Sequence, residues 1–190
     1  MKSRFFCMCT VLVFAIVLAG AMVLAANAPM IESTPAPAAP KPDFSKSMFL
    51  LGNWTCSTKS SRRPAAFITT STTTIDPTGY WMITKGVQHK TSWTRTDFKG
   101  VDMTTYDADA RRWVDISTGD EGSYNLSTSP GWRGNSIVWT DAVISPQGNV
   151  MSTTPTTLTK MSDTKMSSHS TFKEHSGRMV TVDSACHKTG

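Results

Sequence analysis

The side chains that could bind a metal are few and scattered in this chain. His169 and His175 would share one face of an unbroken strand, whereas Glu174 alternates to the other face. His187 follows Cys186 directly, and no spacing typical of a zinc site surrounds these residues. The sequence therefore predicts no metal site and no resident cofactor.

A hydrolytic site would need a nucleophile held against a base. The sequence contains no Gly-x-Ser-x-Gly elbow. The adjacent acids Asp120 and Glu121 fall in a turn, where neither carboxylate would be desolvated as an acid–base pair requires. We predict no catalytic residues. The sequence leaves catalysis open as a question and favours a non-enzymatic protein.

Two of the four cysteines, Cys56 and Cys186, stand at the start and end of the strand-rich region. Each falls on the more apolar face of a segment with strand-like alternation. Cys7 and Cys9 lie instead in an apolar N-terminal stretch. In an oxidising compartment an isolated pair of cysteines usually forms a bridge. We therefore predict a Cys56–Cys186 disulfide that joins the first and last strands and so favours a closed barrel.

The N-terminal stretch has the pattern of a secretory signal peptide over residues 1–28. Lys2 and Arg4 precede an apolar run, which ends in small residues. A Pro/Ala-rich linker follows over 29–42, and one domain over 43–190. We expect a bacterial protein exported to the periplasm or beyond, with membrane contact only if the leader is retained as an anchor. The formal net charge of +5 is spread over the chain, which argues against nucleic-acid binding.

The region after Gly52 is rich in Thr, Ser, Val and aromatic residues, with turn signals roughly every 8–12 residues. This pattern predicts an all-β fold, an antiparallel up-and-down barrel of about ten strands. A short helix before Gly52 would place Phe44, Met48 and Leu51 on one face. The predicted strands cover 53–59, 66–75, 80–86, 90–97, 101–106, 111–117, 122–128, 135–144, 149–160, 164–173 and 178–186.

Leu50-Leu51-Gly52-Asn53-Trp54 opens the strand-rich region. This motif resembles the Gly-x-Trp opening of calycin-type barrels, the group that includes lipocalins and nitrobindins. The hairpin of Met103–Asp107 and Arg112–Val114, followed by Gly122, resembles an exported bacterial family of uncharacterised calycin-like barrels. The resemblance spans Phe44 to about His187. It implies a ligand cavity and, from nitrobindins, haem held by a histidine near the C-terminus, for which His169, His175 and His187 are candidates by position.

The expected function is to bind a small apolar or amphipathic molecule inside the barrel. Aromatic side chains on separate strands would either line such a cavity or fill the core. The threonine runs allow a hollow interior lined by hydroxyls or a solvent-facing surface. The alternatives are an envelope structural or protein-interaction module with a filled barrel, and a haem-dependent nitrobindin-like enzyme. The candidate ligand-binding residues are Trp54, Tyr80, Trp93, Tyr106, Trp113 and Trp139.

Overall fold

The computed structural model describes residues 39–63, 65–144 and 150–189, without the side chains of 150–152. The predicted signal peptide and most of the predicted linker lie outside the described residues. A short 3-10 helix, Ser45–Leu50, precedes the strands. The strands are β1 Gly52–Ser60, β2 Phe67–Ile75, β3 Met82–Gln88, β4 Phe98–Asp107, β5 Arg112–Gly119, β6 Tyr124–Ser129, β7 Ser136–Ile144, β8 Val150–Thr153, β9 Thr156–Ser162, β10 Lys165–Glu174 and β11 Met179–Lys188.

The strands form a closed antiparallel barrel, which confirms the predicted fold class. Strands β1 to β7 pair in chain order, β7 pairs with β9, and β9 to β11 lead back to β1. Strand β8 pairs with the far end of β10, so β8 and β9 together occupy one position around the barrel. The barrel therefore has ten strand positions, which makes it wide enough for an interior that side chains need not fill.

The predicted disulfide closes this barrel between its first and last strands. Cys56 and Cys186 are direct partners in the β1–β11 register, and their Cα atoms are 4.0 Å apart. Their sequence separation is 130 residues, so the bridge encloses almost the whole domain.

One end of the barrel is closed by the 3-10 helix and a set of aromatic side chains. The Trp54 side chain is only 1 % exposed, and its indole N–H donates a 2.8 Å hydrogen bond to the Leu50 carbonyl. Phe49 packs edge-on against both Trp54 and Trp132. The Trp132 indole N–H in turn donates a 2.8 Å hydrogen bond to the Ser47 hydroxyl. The helix is thus tied to the barrel at Ser47 and at Leu50.

The helix differs from the sequence prediction in the face that it buries. A 3-10 helix has three residues per turn, so Phe44, Ser47 and Leu50 line up toward the barrel interior. Met48, which was expected on the buried face, is instead 48 % exposed. The expected face assumed the α-helical period of 3.6 residues.

The segment 90–97, predicted as a strand, is an irregular connection between β3 and β4. The Thr91 hydroxyl interacts with the backbone N–H groups of Trp93 and Thr94, and Asp97 accepts a 2.8 Å hydrogen bond from the Lys90 N–H. These local bonds compete with strand pairing. Among the described residues, no helix has the length and apolar character needed to cross a bilayer.

The threonine run on β2 serves both surfaces of the barrel. Thr73 faces inward, where its hydroxyl is 2.9 Å from the Thr84 hydroxyl on β3. Thr72 faces outward and donates a 2.8 Å hydrogen bond to Asn53. Alternate positions of a strand point to opposite faces, so half of the threonine run lines the interior and the other half lies on the outer surface.

Candidate ligand cavity inside the barrel

The barrel encloses two cavities, one above the other. The mouth cavity, at the end opposite the helix, has a volume of about 550 Å³ and is bordered by Gln88, Phe98 and Tyr124. The inner cavity, between the mouth cavity and the helix, has a volume of about 310 Å³. Asp102 lines both, which places its carboxyl group at the boundary between them. Volumes of this size are typical of small-molecule sites.

The mouth cavity is open because one band of the wall carries no side chains. Gly86 on β3 lies opposite Gly100 on β4, which lies opposite Gly119 on β5. Ser71 on β2 extends the same row with another small side chain. Because none of these three glycines has a positive φ, the backbone does not require glycine here. At Gly86 the missing side chain leaves open space, whereas at Gly119 Ser123, Glu121 and Phe98 fill the space beside the glycine.

Three carboxyl groups project into the interior from this side of the barrel, and we call Asp102, Asp115 and Asp141 the acidic patch. Asp115 lies in one register row with Ser127 and Asp141 across β5, β6 and β7. Asp102 lies in the next row toward the mouth, opposite Ser117. Asp102 and Asp115 are therefore diagonal neighbours on the inner face of β4 and β5, a separation at which charges still interact.

Asp141 is the best-bonded member of the acidic patch. Its Oδ1 accepts hydrogen bonds from the Ser127 hydroxyl at 2.6 Å and from the Asn125 amide at 2.7 Å. Its Oδ2 accepts a hydrogen bond from the Thr153 hydroxyl on β8. Since a carboxylate only accepts, these contacts fix the Asn125 amide with its nitrogen toward Asp141. The Asn125 Oδ1 atom is then buried without a donor in the described structure.

Burial is the main cause of the raised pKa values of the other two members, Asp102 and Asp115. It raises the pKa of Asp115 to about 6, with further increases from the charges of Asp102 and Asp141. Hydrogen bonds from Thr104 at 2.6 Å and Ser117 at 3.1 Å only partly offset this rise in pKa. Burial also raises the pKa of Asp102. Desolvation disfavours the charged form of a carboxyl group, and neighbouring negative charge adds to that effect.

No basic side chain lines either cavity among the described residues. Lys85 lies between inward-facing Thr84 and Gly86 on β3 and is exposed on the outer face. The acidic side chains that line the cavities are Asp102, Asp115, Asp141 and, at the rim of the mouth, Glu121. The interior is therefore acidic although the chain carries a formal net charge of +5.

Two of the six aromatic residues predicted to bind ligand line the inner cavity. Trp113 and Trp139 both face it, together with the apolar side chains of Met82 and Leu158. Trp113 also packs against Phe44, with ring centroids 5.4 Å apart. These groups make the deep end of the interior apolar and aromatic.

The other four predicted residues lie apart from the two cavities. Trp54 belongs to the core beneath the helix. Tyr80 lies in the β2–β3 turn and donates a 2.7 Å hydrogen bond to the Ala39 carbonyl. Trp93 lies in the β3–β4 connection with the Arg63 guanidinium 5.7 Å from its ring centre. Tyr106 packs edge-on against Trp113 near the closed end and is 37 % exposed.

The histidines considered for haem or metal do not reach the interior. His169 is exposed on the outer face of β10, where its Nδ1 is 2.7 Å from Asp183. His175 lies in the β10–β11 turn, and His187 is exposed on β11. The described residues also contain no group of three or more His, Cys, Asp or Glu side chains that could hold a metal ion. The arrangement does not fit a haem held in the barrel by one of these histidines.

Sequence reasoning missed the acidic patch, and the β5 sequence explains why. In this strand Val114 and Ile116 alternate with Trp113 and Asp115. A core built by hydrophobicity alone would bury Val114 and Ile116, whereas the structure turns Trp113 and Asp115 inward. The available signal was the presence of Asp102 and Asp115 on the two strands of one hairpin, where they are diagonal neighbours.

No protein-family model matches this chain, and no curated protein sequence is significantly similar to it.

Proposed function

We propose that this chain is an exported, non-enzymatic binding protein that holds one small amphipathic molecule inside its barrel. The observation that carries the proposal is the pair of stacked cavities of about 550 and 310 Å³, which meet at Asp102. A barrel evolved as a filled structural module would be expected to pack this space, because empty volume costs stability. Gly86 keeps part of the mouth cavity open at a position where a larger side chain is sterically allowed, because an added Cβ would meet its nearest atom only at 3.9 Å.

The lining supports an amphipathic rather than a purely apolar ligand. Trp113 and Trp139 offer flat apolar surfaces at the deep end. Hydroxyl and carboxyl groups occupy the middle of the interior, where Ser117 and Asp102 face the boundary between the cavities. A ligand with an apolar body and a polar head would match this order from the closed end toward the mouth.

The Cys56–Cys186 disulfide supports export, since such bonds persist in oxidising compartments. The ten-position barrel and the Gly52–Trp54 opening support placing the chain among the calycin-like barrels of exported bacterial proteins. We therefore expect the protein to meet its ligand in the periplasm or outside the cell.

The proposal is tested by native mass spectrometry of the full chain after export to a bacterial periplasm. We expect a protein with its leader removed and a retained small molecule that is released on collisional activation. Gly86→Leu is the matched variant, because a Cβ at Gly86 would meet its nearest atoms only at 3.9–4.0 Å and the added side chain would extend into the cavity. This variant should fold and carry no ligand. Equal ligand mass on both proteins, or none on the parent protein from any preparation, would contradict cavity binding.

A further inference from the structure

We infer that the ligand of this barrel carries a cationic head, a protonated amine, which binds to the acidic patch at the boundary between the two cavities. This inference rests on the proposed function, because it names the chemical class of the molecule held in the barrel. It goes beyond the small apolar or amphipathic ligand that the sequence predicts.

The first observation is that Asp102 lacks a hydrogen-bond donor of its own. Within the described part of the chain, the Ser117 hydroxyl is the donor that reaches it. That hydroxyl has a single proton, which it donates to Asp115 at 3.1 Å. On the other side of Asp102, the Thr84 hydroxyl is hydrogen-bonded at 2.9 Å to the Thr73 hydroxyl, and either of the two oxygens can be the donor. One proton thus serves two buried carboxyl groups, and Asp102 faces both cavities without a partner.

The second observation concerns an amide group beside the acidic patch. The Oδ1 atom of Asn125, a residue of the mouth-cavity wall, is buried and has no donor within the described structure. Its orientation is fixed, because the Asn125 nitrogen donates to Asp141. Buried acceptors without donors are rare and costly. Asp102 and Asn125 lie in the same register row on either side of Ser117, so the wall beside Asp102 holds a second acceptor without a donor.

The third observation is the charge balance of the interior. A buried carboxylate is costly unless an opposite charge or several donors compensate it. The described side chains that line the cavities supply the three inward-facing acids of the acidic patch and no cation. The compensating charge would therefore come from the ligand. An ammonium group offers donors and a positive charge together, as this site requires.

The geometry also fits the rest of such a molecule. The aromatic surfaces of Trp113 and Trp139 lie on the helix side of the acidic patch, within the inner cavity of about 310 Å³. An arylalkylamine could place its ring there and its ammonium group beside Asp102 and Asp115. Its neutral and anionic analogues would occupy the same space without supplying a positive charge to Asp102.

Binding should strengthen as the acidic patch ionises. The groups that face Asp115 are Asp102 and Thr104 from β4, Ser117 on its own strand, and Ser127 and Asp141 from β6 and β7. With Asp115 titrating near pH 6, affinity for an amine should be higher at pH 8 than at pH 5. A primary alkylamine stays protonated over this range, so a change in its affinity would reflect ionisation of the protein and not of the ligand.

The test compares three probes with the same phenylethyl body: phenethylammonium, 2-phenylethanol and phenylacetate. Calorimetric titration of the full exported chain at pH 8 should give about ten- to a hundredfold tighter binding for phenethylammonium than for 2-phenylethanol. Phenylacetate should bind most weakly. Equal or tighter binding of either analogue, or no binding of phenethylammonium, would overturn the cationic head. A neutral or acidic molecule retained in native mass spectrometry would overturn it too, while leaving the proposed binding function intact.

Three variants test whether phenethylammonium binds at the acidic patch. Asp102→Asn should weaken phenethylammonium binding by about ten- to a hundredfold and leave 2-phenylethanol binding unchanged. Asp109→Asn changes the same charge in the exposed β4–β5 turn and should alter neither. Gly86→Leu should prevent binding of both probes. If phenethylammonium still bound to Gly86→Leu, or bound equally to Asp102→Asn, it would be pairing with surface charge and the inference would be wrong.

Discussion

The Asp115 carboxylate accepts a 2.6 Å hydrogen bond from the hydroxyl of Thr104, its direct partner across the β4–β5 pair. This bond stabilises the ionised form, yet burial and the nearby charges of Asp102 and Asp141 outweigh it, and the pKa of Asp115 rises to about 6. The domain therefore holds a carboxyl group whose ionisation opposes folding. Such a group is expected where its charge is used in binding rather than in stability.

The raised pKa of Asp115 gives a pH dependence of defined sign. Between the ordinary value of 3.8 and the folded value of about 6, the folded state binds more protons than the unfolded state. The free energy of unfolding should therefore fall as pH rises through this range. Asp115→Asn should remove this fall and raise the free energy of unfolding at pH 7 by up to about 3 kcal/mol, with little effect near pH 4.

Urea unfolding of the parent protein, Asp115→Asn and Asp109→Asn between pH 4 and pH 8 measures this difference. Asp109→Asn should follow the parent protein at every pH. If Asp115→Asn were less stable than the parent protein at pH 7, the carboxylate would be a stabilising group, and our account of the acidic patch would be wrong.

The two glycines Gly86 and Gly119 should respond differently to the same substitution, although both face the mouth cavity. A Cβ at Gly119 would lie 2.5 Å from the Ser123 hydroxyl and 2.6 Å from the Phe98 ring, whereas a Cβ at Gly86 meets its nearest atom at 3.9 Å. Gly119→Ala should therefore cost about 1–3 kcal/mol through overpacking. Gly86→Ala should be neutral or stabilising by up to about 1 kcal/mol, because alanine loses less backbone entropy on folding.

Thermal or urea unfolding of this matched pair tests whether the glycines have distinct roles. Equal effects of the two substitutions would mean that Phe98 moves freely, and that the rim of the mouth cavity is not packed as described. A loss for Gly86→Ala would indicate that the wall there is already filled.

The Cys56–Cys186 bridge should contribute a large share of the stability of this domain. It closes a loop of 130 residues, which corresponds to roughly 4–5 kcal/mol in the chain-entropy model. The double variant Cys56→Ser/Cys186→Ser should lose most of this amount in urea unfolding. A reducing agent should destabilise the parent protein to the same extent and leave the double variant unchanged. A parent protein that is insensitive to reduction under conditions that do cleave the bond would refute this role.

The barrel could be predicted from the sequence because its main signals are local. Strand composition and turn spacing indicate about ten strands, and the cysteine positions on β1 and β11 indicate how they close. Even so, 90–97 was predicted as a strand, because composition does not reveal that Thr91 and Asp97 bond to the local backbone instead.

The candidate site depends on a different kind of information. Which face of β5 turns inward is decided by its pairing with β4 and β6, not by its own hydrophobic pattern. Trp113 alone signalled the inner face, and Asp115 follows it by two residues. The approach of Asp141 from β7 could not be read from sequence, because a bulge at Leu126 and Ser127 shifts the register between β6 and β7.

The ion pair between Arg62 and Glu174 should be important for stability, and it can be tested with a thermodynamic cycle. Glu174 is only 4 % exposed, and its Oε1 lies 2.9 Å from the Arg62 guanidinium. Arg62→Ala would leave this buried carboxylate with two weaker contacts to Oε2, the Arg178 side chain at 3.5 Å and the Ser176 hydroxyl at 3.3 Å. We expect a loss of about 2 kcal/mol, below the usual cost of breaking a fully buried pair, because Arg62 is partly exposed.

Adding Glu174→Gln to Arg62→Ala should recover part of that loss, since the uncompensated charge is then removed. Arg63→Ala is the matched control: it removes a neighbouring cation whose contact is with the Trp93 ring, and it should cost less than about 1 kcal/mol. Urea unfolding of the parent protein, Arg62→Ala, Glu174→Gln and their double variant at pH 7 gives the coupling energy. Arg63→Ala is measured beside them as the control. A coupling energy near zero would show that Glu174 is stabilised by its burial site without Arg62.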